Sequence, residues 1–142
     1  MMVNMILTAL FITIFAGIAN AGYLYWQYRQ YKLTVRPMVC PLDGKCEEVV
    51  GTVYGTTFGV KNEIWGFVYY LSLLGLIGVY LFSVSFVDVA KFLIIFSSAG
   101  AVIFSTYLLW VQLITLQKYC SWCILATLIN YLIFVLEIAY LF

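Results

Sequence analysis

The chain has 142 residues, 65% of them hydrophobic, with seven basic and six acidic side chains, a net charge of +1 and no histidine. Soluble domains carry about a quarter charged residues and roughly half apolar ones, so a 9% charged share and a mean hydropathy of +1.06 exclude a water-soluble globule, and the lack of a basic cluster leaves no footprint for nucleic acid. The missing histidines also exclude imidazole-ligated metal sites, c-type haem attachment and triads with an imidazole base.

The first apolar run, from Val3 to Tyr28, contains no charge. A hydrocarbon core of about 30 Å needs about 20 helical residues, and open sheets cannot cross because lipid leaves their edges unsatisfied. The run therefore predicts a membrane helix over about 3–28. Ala19-Asn20-Ala21 has the small-x-small form of a signal cleavage site, but no Lys or Arg precedes the run and apolar residues continue through Tyr23-Leu24-Tyr25-Trp26, as in a retained helix with an aromatic belt. Gly17, Ala21 and Gly22, and further on Gly75 with Gly78, are read as small residues that let membrane helices pack closely.

A polar stretch, 29–63, follows, holding nine of the 13 charges, both prolines and two cysteines. It is expected to fold over one mouth of a bundle as loop and short helix, not strand. Three further apolar runs predict helices over about 64–87, 91–116 and 120–141. The dyad alternation of an outer-membrane barrel is absent from all of them. Their short connections imply antiparallel neighbours. The expected fold is an all-α membrane protein, a four-transmembrane-helix bundle with a long cysteine-bearing loop between helices one and two, forming a single domain over 1–142.

This topology puts Cys40 and Cys46, in the loop, on the same membrane face as Cys120 and Cys123, which open the last helix. The Cys120-Ser121-Trp122-Cys123 spacing sets two sulfurs one turn apart at a helix N-terminus, where free amide N–H groups and the macrodipole favour thiolate chemistry. Pro41 and Asp43-Gly44 supply turn geometry between Cys40 and Cys46, compatible with an intraloop disulfide on a mobile segment. Two other readings stay open: a four-thiolate zinc or iron–sulfur site, and a structural scaffold in which the cysteines are packing residues.

Beyond the cysteines, the chain carries Cys46-Glu47-Glu48-Val49-Val50-Gly51-Thr52-Val53-Tyr54-Gly55, then Phe58-Gly59-Val60-Lys61-Asn62-Glu63-Ile64-Trp65-Gly66, leading into Tyr69-Tyr70. With C-x5-C in the first loop and C-x-x-C at the fourth helix, this resembles the vitamin K epoxide reductase (VKOR) family of membrane thiol oxidoreductases, as a prokaryotic, archaeal-like member without a fused thioredoxin domain. The disulfide-forming membrane protein B family is similar in function but has its C-x-x-C in the first polar loop. The resemblance implies that Cys120 and Cys123 form the active pair, with Cys123 nearest a bound quinone, that Cys46 attacks Cys120, and that Cys40 meets an external redox partner. It implies that the Asn62 amide hydrogen-bonds a quinone carbonyl. Thr52 stands where the family often has a loop-supporting serine, and Thr127 where some animal members carry a tyrosine, which speaks against vitamin K epoxide as substrate.

The implied activity is quinone-dependent thiol–disulfide exchange that promotes disulfide formation, with menaquinone, ubiquinone or a similar quinone as acceptor, no metal, and a thioredoxin-like partner expected to be a separate protein. Asn62 is equally a favoured helix N-cap. Phe58, Trp65, Tyr69, Tyr70 and Trp122 are candidates to wall a quinone ring by stacking, against the alternative that they belong to the bundle core or belt. Six of the seven basic residues lie on the cysteine face and only Lys91 on the other. The positive-inside rule then predicts cytoplasmic cysteines, inverted relative to most of the family, where they are extracytoplasmic.

Overall fold

A computed structural model describes residues 1–142 as four long helices and a small cap. In chain order these are α1 (Met2–Thr34), the short α2 (Cys46–Val50), β1 (Thr56–Thr57), β2 (Val60–Lys61), α3 (Asn62–Phe82), α4 (Val87–Trp110) and α5 (Ser121–Leu141). The helices α1, α3, α4 and α5 are long and apolar enough to cross a membrane. The protein is thus a multi-pass, all-α membrane bundle. α1 packs on α3 and α5, and α4 packs on the same two from the other side. Rings such as Phe15, Phe92 and Phe96 lie exposed on the outer surface, where lipid takes the place of water.

Helix α1 continues beyond the apolar run that predicts it. Its 33 residues span about 50 Å at 1.5 Å each, well past a core of about 30 Å. The extension is held because Gln27 and Tyr28 are buried against the cap. It stops at Val35, which takes a left-handed conformation and returns its N–H to Tyr31 O, just before Arg36-Pro37, where a proline disfavours helix in the preceding residue.

The cap corrects the expectation of a strand-free loop. β1 and β2 pair antiparallel, Thr56 with Lys61 and Thr57 with Val60, through a two-residue turn in which Phe58 and Gly59 both have positive φ. This is the turn that matches strand twist in a tight hairpin. Strands of two residues are too short to leave the alternating pattern by which strands are read.

At the same end, α4 passes into a π-helical segment, Val111–Leu116, before Gln117 turns left-handed. Such π turns concentrate at functional sites.

Between helices, the core is built of Leu10, Ile14, Leu73, Ile77, Ile94 and Ile133. Lipid is as apolar as these side chains, so association depends on close packing and interhelical hydrogen bonds. Gly17 supplies the first, since a Cβ there would stand 2.6 Å from the Tyr70 ring, and Ala21, one turn further along α1, is buried too. Gly22, Gly75 and Gly78 do not pack: each faces open space. Tyr70 supplies the second, with its hydroxyl donating to Asn130 Oδ1 at 2.8 Å while Asn130 Nδ2 donates to Ser105 Oγ at 2.6 Å, which ties α3, α5 and α4 together.

Candidate active site

All four cysteines gather at the end of the bundle that carries the cap. Cys40 and Cys46 are joined in a disulfide, and Cys120 and Cys123 are free thiols. The chain between the bonded pair makes a turn in which Leu42 and Asp43 both have positive φ. Gly44 is required by a close approach, because a Cβ would lie 2.5 Å from Cys40 Sγ and 2.9 Å from Ser121 Oγ.

This turn is bonded to the start of α5. The Lys45 N–H donates to Tyr119 O at 2.8 Å, the Tyr119 and Ser121 hydroxyls donate to Leu42 O and Pro41 O, and Cys40 Sγ lies 3.8 Å from Ser121 Oγ. An ion pair between Lys118 and Glu48 closes the outer side, and its hydrogen bond holds the Glu48 carboxyl below the usual range.

Two glutamines within the helices organise the segments that carry the thiols. Gln27 Oε1, on α1, accepts the Val39 N–H at 2.8 Å, and Gln112 Oε1, in the π turn, accepts the Cys120 N–H at 2.9 Å. Cys120 caps α5, its sulfur accepting the Cys123 N–H at 3.3 Å. Cys46 and Cys120, both wholly buried, share one apolar cluster with Leu24, Tyr28 and Val50, against which Cys40 and Cys123 pack. The loop pair and the helix pair therefore belong to one packed cluster.

Below the cluster lies a cavity of about 410 Å³, walled by all four membrane helices and the hairpin. That volume falls in the range of small-molecule sites. Cys123 lines it, as do Asn62, Trp65, Tyr69, Tyr70 and Thr127. Trp65 Nε1 donates to Thr57 O at 3.0 Å and the Tyr69 hydroxyl to Ser98 Oγ at 3.0 Å. Thr127 is buried and bonds back to Cys123 O at 3.1 Å.

Trp122, Phe58 and Asn62 are held in other ways. Trp122 does not line the cavity. Its Nε1 donates to Val39 O at 2.8 Å and its ring meets Tyr23 edge-on, so it docks the cysteine loop. Phe58 touches the cavity only from the hairpin tip, where it is 93% exposed. Asn62 is the first residue of α3 and makes no cap bond. Its Oδ1 accepts from Thr57 Oγ1 at 2.7 Å and its Nδ2 donates to Tyr54 O at 2.7 Å, leaving one amide hydrogen for another acceptor. Thr52, outside the cavity, donates to Val49 O at 2.7 Å, which steadies the end of α2.

Among the polar residues on the cavity wall that were not singled out from sequence are Asn20, Glu63, Gln112 and Asn130. Cys123, Thr127 and Asn130 follow one another at i, i+4 and i+7, a single helix face. That spacing was a usable signal.

One cysteine pair after the first membrane helix and one opening the last, brought to the same end over a cavity, is an order that holds for the sequence as a whole. The profile of the vitamin K epoxide reductase family matches residues 8–138. The chain belongs to that family. No curated protein matches it. As a VKOR-family protein it is a membrane thiol oxidoreductase, and a disulfide beside two free thiols is the equipment such an enzyme needs.

Proposed function

We propose that this protein takes electrons from a thioredoxin-like dithiol and delivers them to a membrane quinone, leaving a disulfide in its partner. The observation that carries the reading is that Cys46 and Cys120 are buried in one cluster, their preceding residues joined by the Lys45 N–H to Tyr119 O bond, with Cys123 on the wall of the cavity. The path runs from partner to Cys40–Cys46, then to Cys120–Cys123, then to the quinone. A bonded loop pair above a free inner pair corresponds to the stage after electrons have moved inward and before they leave. In each exchange a thiolate attacks a disulfide sulfur through a mixed disulfide, which requires the docked turn to bring Cys46 onto Cys120.

The cavity residues fit a quinone. Trp65, Tyr69 and Tyr70 offer aromatic faces, and the remaining Asn62 amide hydrogen suits a carbonyl oxygen. A quinone supplies a two-electron acceptor soluble in lipid, and the residues around it bind the ring, exclude water and hold the thiol pair. Hydrogen bonds aimed at an oxygen that gains charge are worth several kcal/mol in a dry site. A four-thiolate metal site is less well supported, because two of its four sulfurs are bonded to each other. We further propose that the cysteine face is cytoplasmic, as Arg29, Lys32, Arg36, Lys45, Lys61 and Lys118 lie on it. Cytosolic disulfides of this kind are known from hyperthermophiles.

The test is quinone reduction by purified protein. With dithiothreitol as donor, Cys123→Ala and Cys120→Ala are expected to abolish the reaction. Cys40→Ala should retain turnover with the small dithiol and lose it with a thioredoxin-like protein as donor. Equal loss in both assays rejects the relay, and full activity of the Cys123 variant rejects the quinone site.

A further inference from the structure

Closing a dithiol to a disulfide releases two protons, and reducing a quinone consumes two. Both events take place among the membrane helices, in a chain without histidine. The ionisable side chains on the cavity wall are Glu63, Tyr69, Tyr70 and Cys123. The two phenols are weak acids, and their hydroxyls already donate to Ser98 and Asn130. Glu63 is the one carboxyl.

Its setting is unusual for a structural glutamate. Glu63 is 8% exposed, and its Oε2 is buried without a hydrogen-bond partner. Lys61, the nearest cation in sequence, is held elsewhere: its ammonium donates to Val50 O at 2.7 Å and sits 3.8 Å from the centre of the Tyr28 ring. The ion pair of the cap joins Lys118 to Glu48 instead. From α1 and the π-helical segment after α4 the cavity wall presents amides, Asn20 and Gln112, and from α5 the Cys123 thiol. Glu63 and Cys123 also border a second, smaller pocket under the cap together, so they approach the same space from opposite helices. Leaving a carboxyl buried and unpaired is costly, and ionisable groups inside membrane proteins mark proton and substrate paths.

Resting on the quinone reading above, we infer that Glu63 is a catalytic residue that carries a proton between the Cys123 thiol and the quinone oxygen. The Cys123 S–H bond breaks and its proton passes to the Glu63 carboxylate. A sulfur–sulfur bond forms between Cys120 and Cys123 as two electrons pass to the quinone. The Glu63 O–H proton then goes to a quinone oxygen, and the Cys120 proton completes the quinol. One dithiol and one quinone thus give one disulfide and one quinol, with the carboxylate restored.

Glu63→Gln keeps the shape and removes the proton carrier. Its kcat with dithiothreitol and a short-chain ubiquinone should fall about 100-fold or more, with KM for the quinone unchanged and part of the rate recovered in Glu63→Asp. In quinone-free protein oxidised by a soluble disulfide, the Cys123 proton has no quinone oxygen to go on to and stays on Glu63, so infrared difference spectra between the dithiol and disulfide forms should contain a carboxyl band that disappears in Glu63→Gln. A purely structural glutamate produces no such band. Wild-type turnover in the Glu63→Gln variant, or a wild-type difference spectrum without a carboxyl band, overturns the inference and leaves the relay intact. Absence of quinone reduction in the wild type itself overturns the functional reading, while the infrared experiment still reports on Glu63.

Discussion

At Gly17 a Cβ would stand 2.6 Å from the Tyr70 ring, whereas at Gly75 it would meet nothing within 4 Å. Gly17→Ala must displace a ring whose hydroxyl is fixed on Asn130, and overpacking of this kind costs about 1–3 kcal/mol. Gly75→Ala only replaces a poor helix former, a change worth up to about 1 kcal/mol in favour of the variant. Unfolding in detergent should separate the two, and equal effects would mean that the α1–α3 contact is not as described. Both glycines look the same in sequence, because side-chain contact depends on which way a helix is rotated, and an apolar helix surrounded by lipid carries little record of that. The polar residues do carry it. Cys123, Thr127 and Asn130 mark the inward face of α5, and Tyr69 and Trp65 line the same cavity. Trp122 was misplaced because the same indole serves equally to stack on a ring or to donate to a loop carbonyl, and only the path of the loop decides between them.

The elements most legible in the sequence were the four membrane helices, since lipid accepts few alternatives to a helix and their runs are uninterrupted. The cap was less legible, because its fold is set by single hydrogen bonds to the bundle. Val39 illustrates this: its N–H reaches Gln27 and its carbonyl receives Trp122. Removing either bond, by Gln27→Ala or Trp122→Phe, should loosen the cysteine turn by about 0.5–1.5 kcal/mol. Hydrogen exchange over residues 38–45 reads this directly, and the double variant should lose less than the sum, as both act on one residue. The outer ion pair adds a pH dependence. Because Lys118 lowers the Glu48 pKa, its contribution to docking is complete above the ordinary carboxylate range and is lost as pH falls through the lowered value. Exchange in the cap should therefore rise on acidification, and rise less in Lys118→Ala. The effect is small, since both partners are exposed.

For the whole molecule, charge and chemistry make opposing demands. The cap collects Arg29, Lys32, Arg36, Lys45, Lys61 and Lys118, and Lys91 alone stands near the other mouth, its ammonium over the Phe142 ring. Lys and Arg close to the ends of membrane helices are retained in the cytoplasm, while protein disulfides persist mainly outside it. None of the six is buried in the apolar core, and although Lys61 is held on Val50 and Tyr28, Lys32 stands over the Tyr28 ring and Lys118 pairs with Glu48, these contacts leave Arg29, Arg36 and Lys45 unexplained, so the packing of the bundle does not account for the whole asymmetry. Insertion does. A reporter fused after Phe142, at the mouth opposite the cap, should therefore be active only outside the cell. Moving positive charge to the Lys91 end, or replacing Arg29, Lys32 and Arg36 with glutamine, should produce a mixed or reversed orientation. A fusion active only in the cytoplasm would place the thiols outside, and the enzyme would then draw its electrons from extracytoplasmic proteins by the same path through Cys40, Cys46, Cys120 and Cys123.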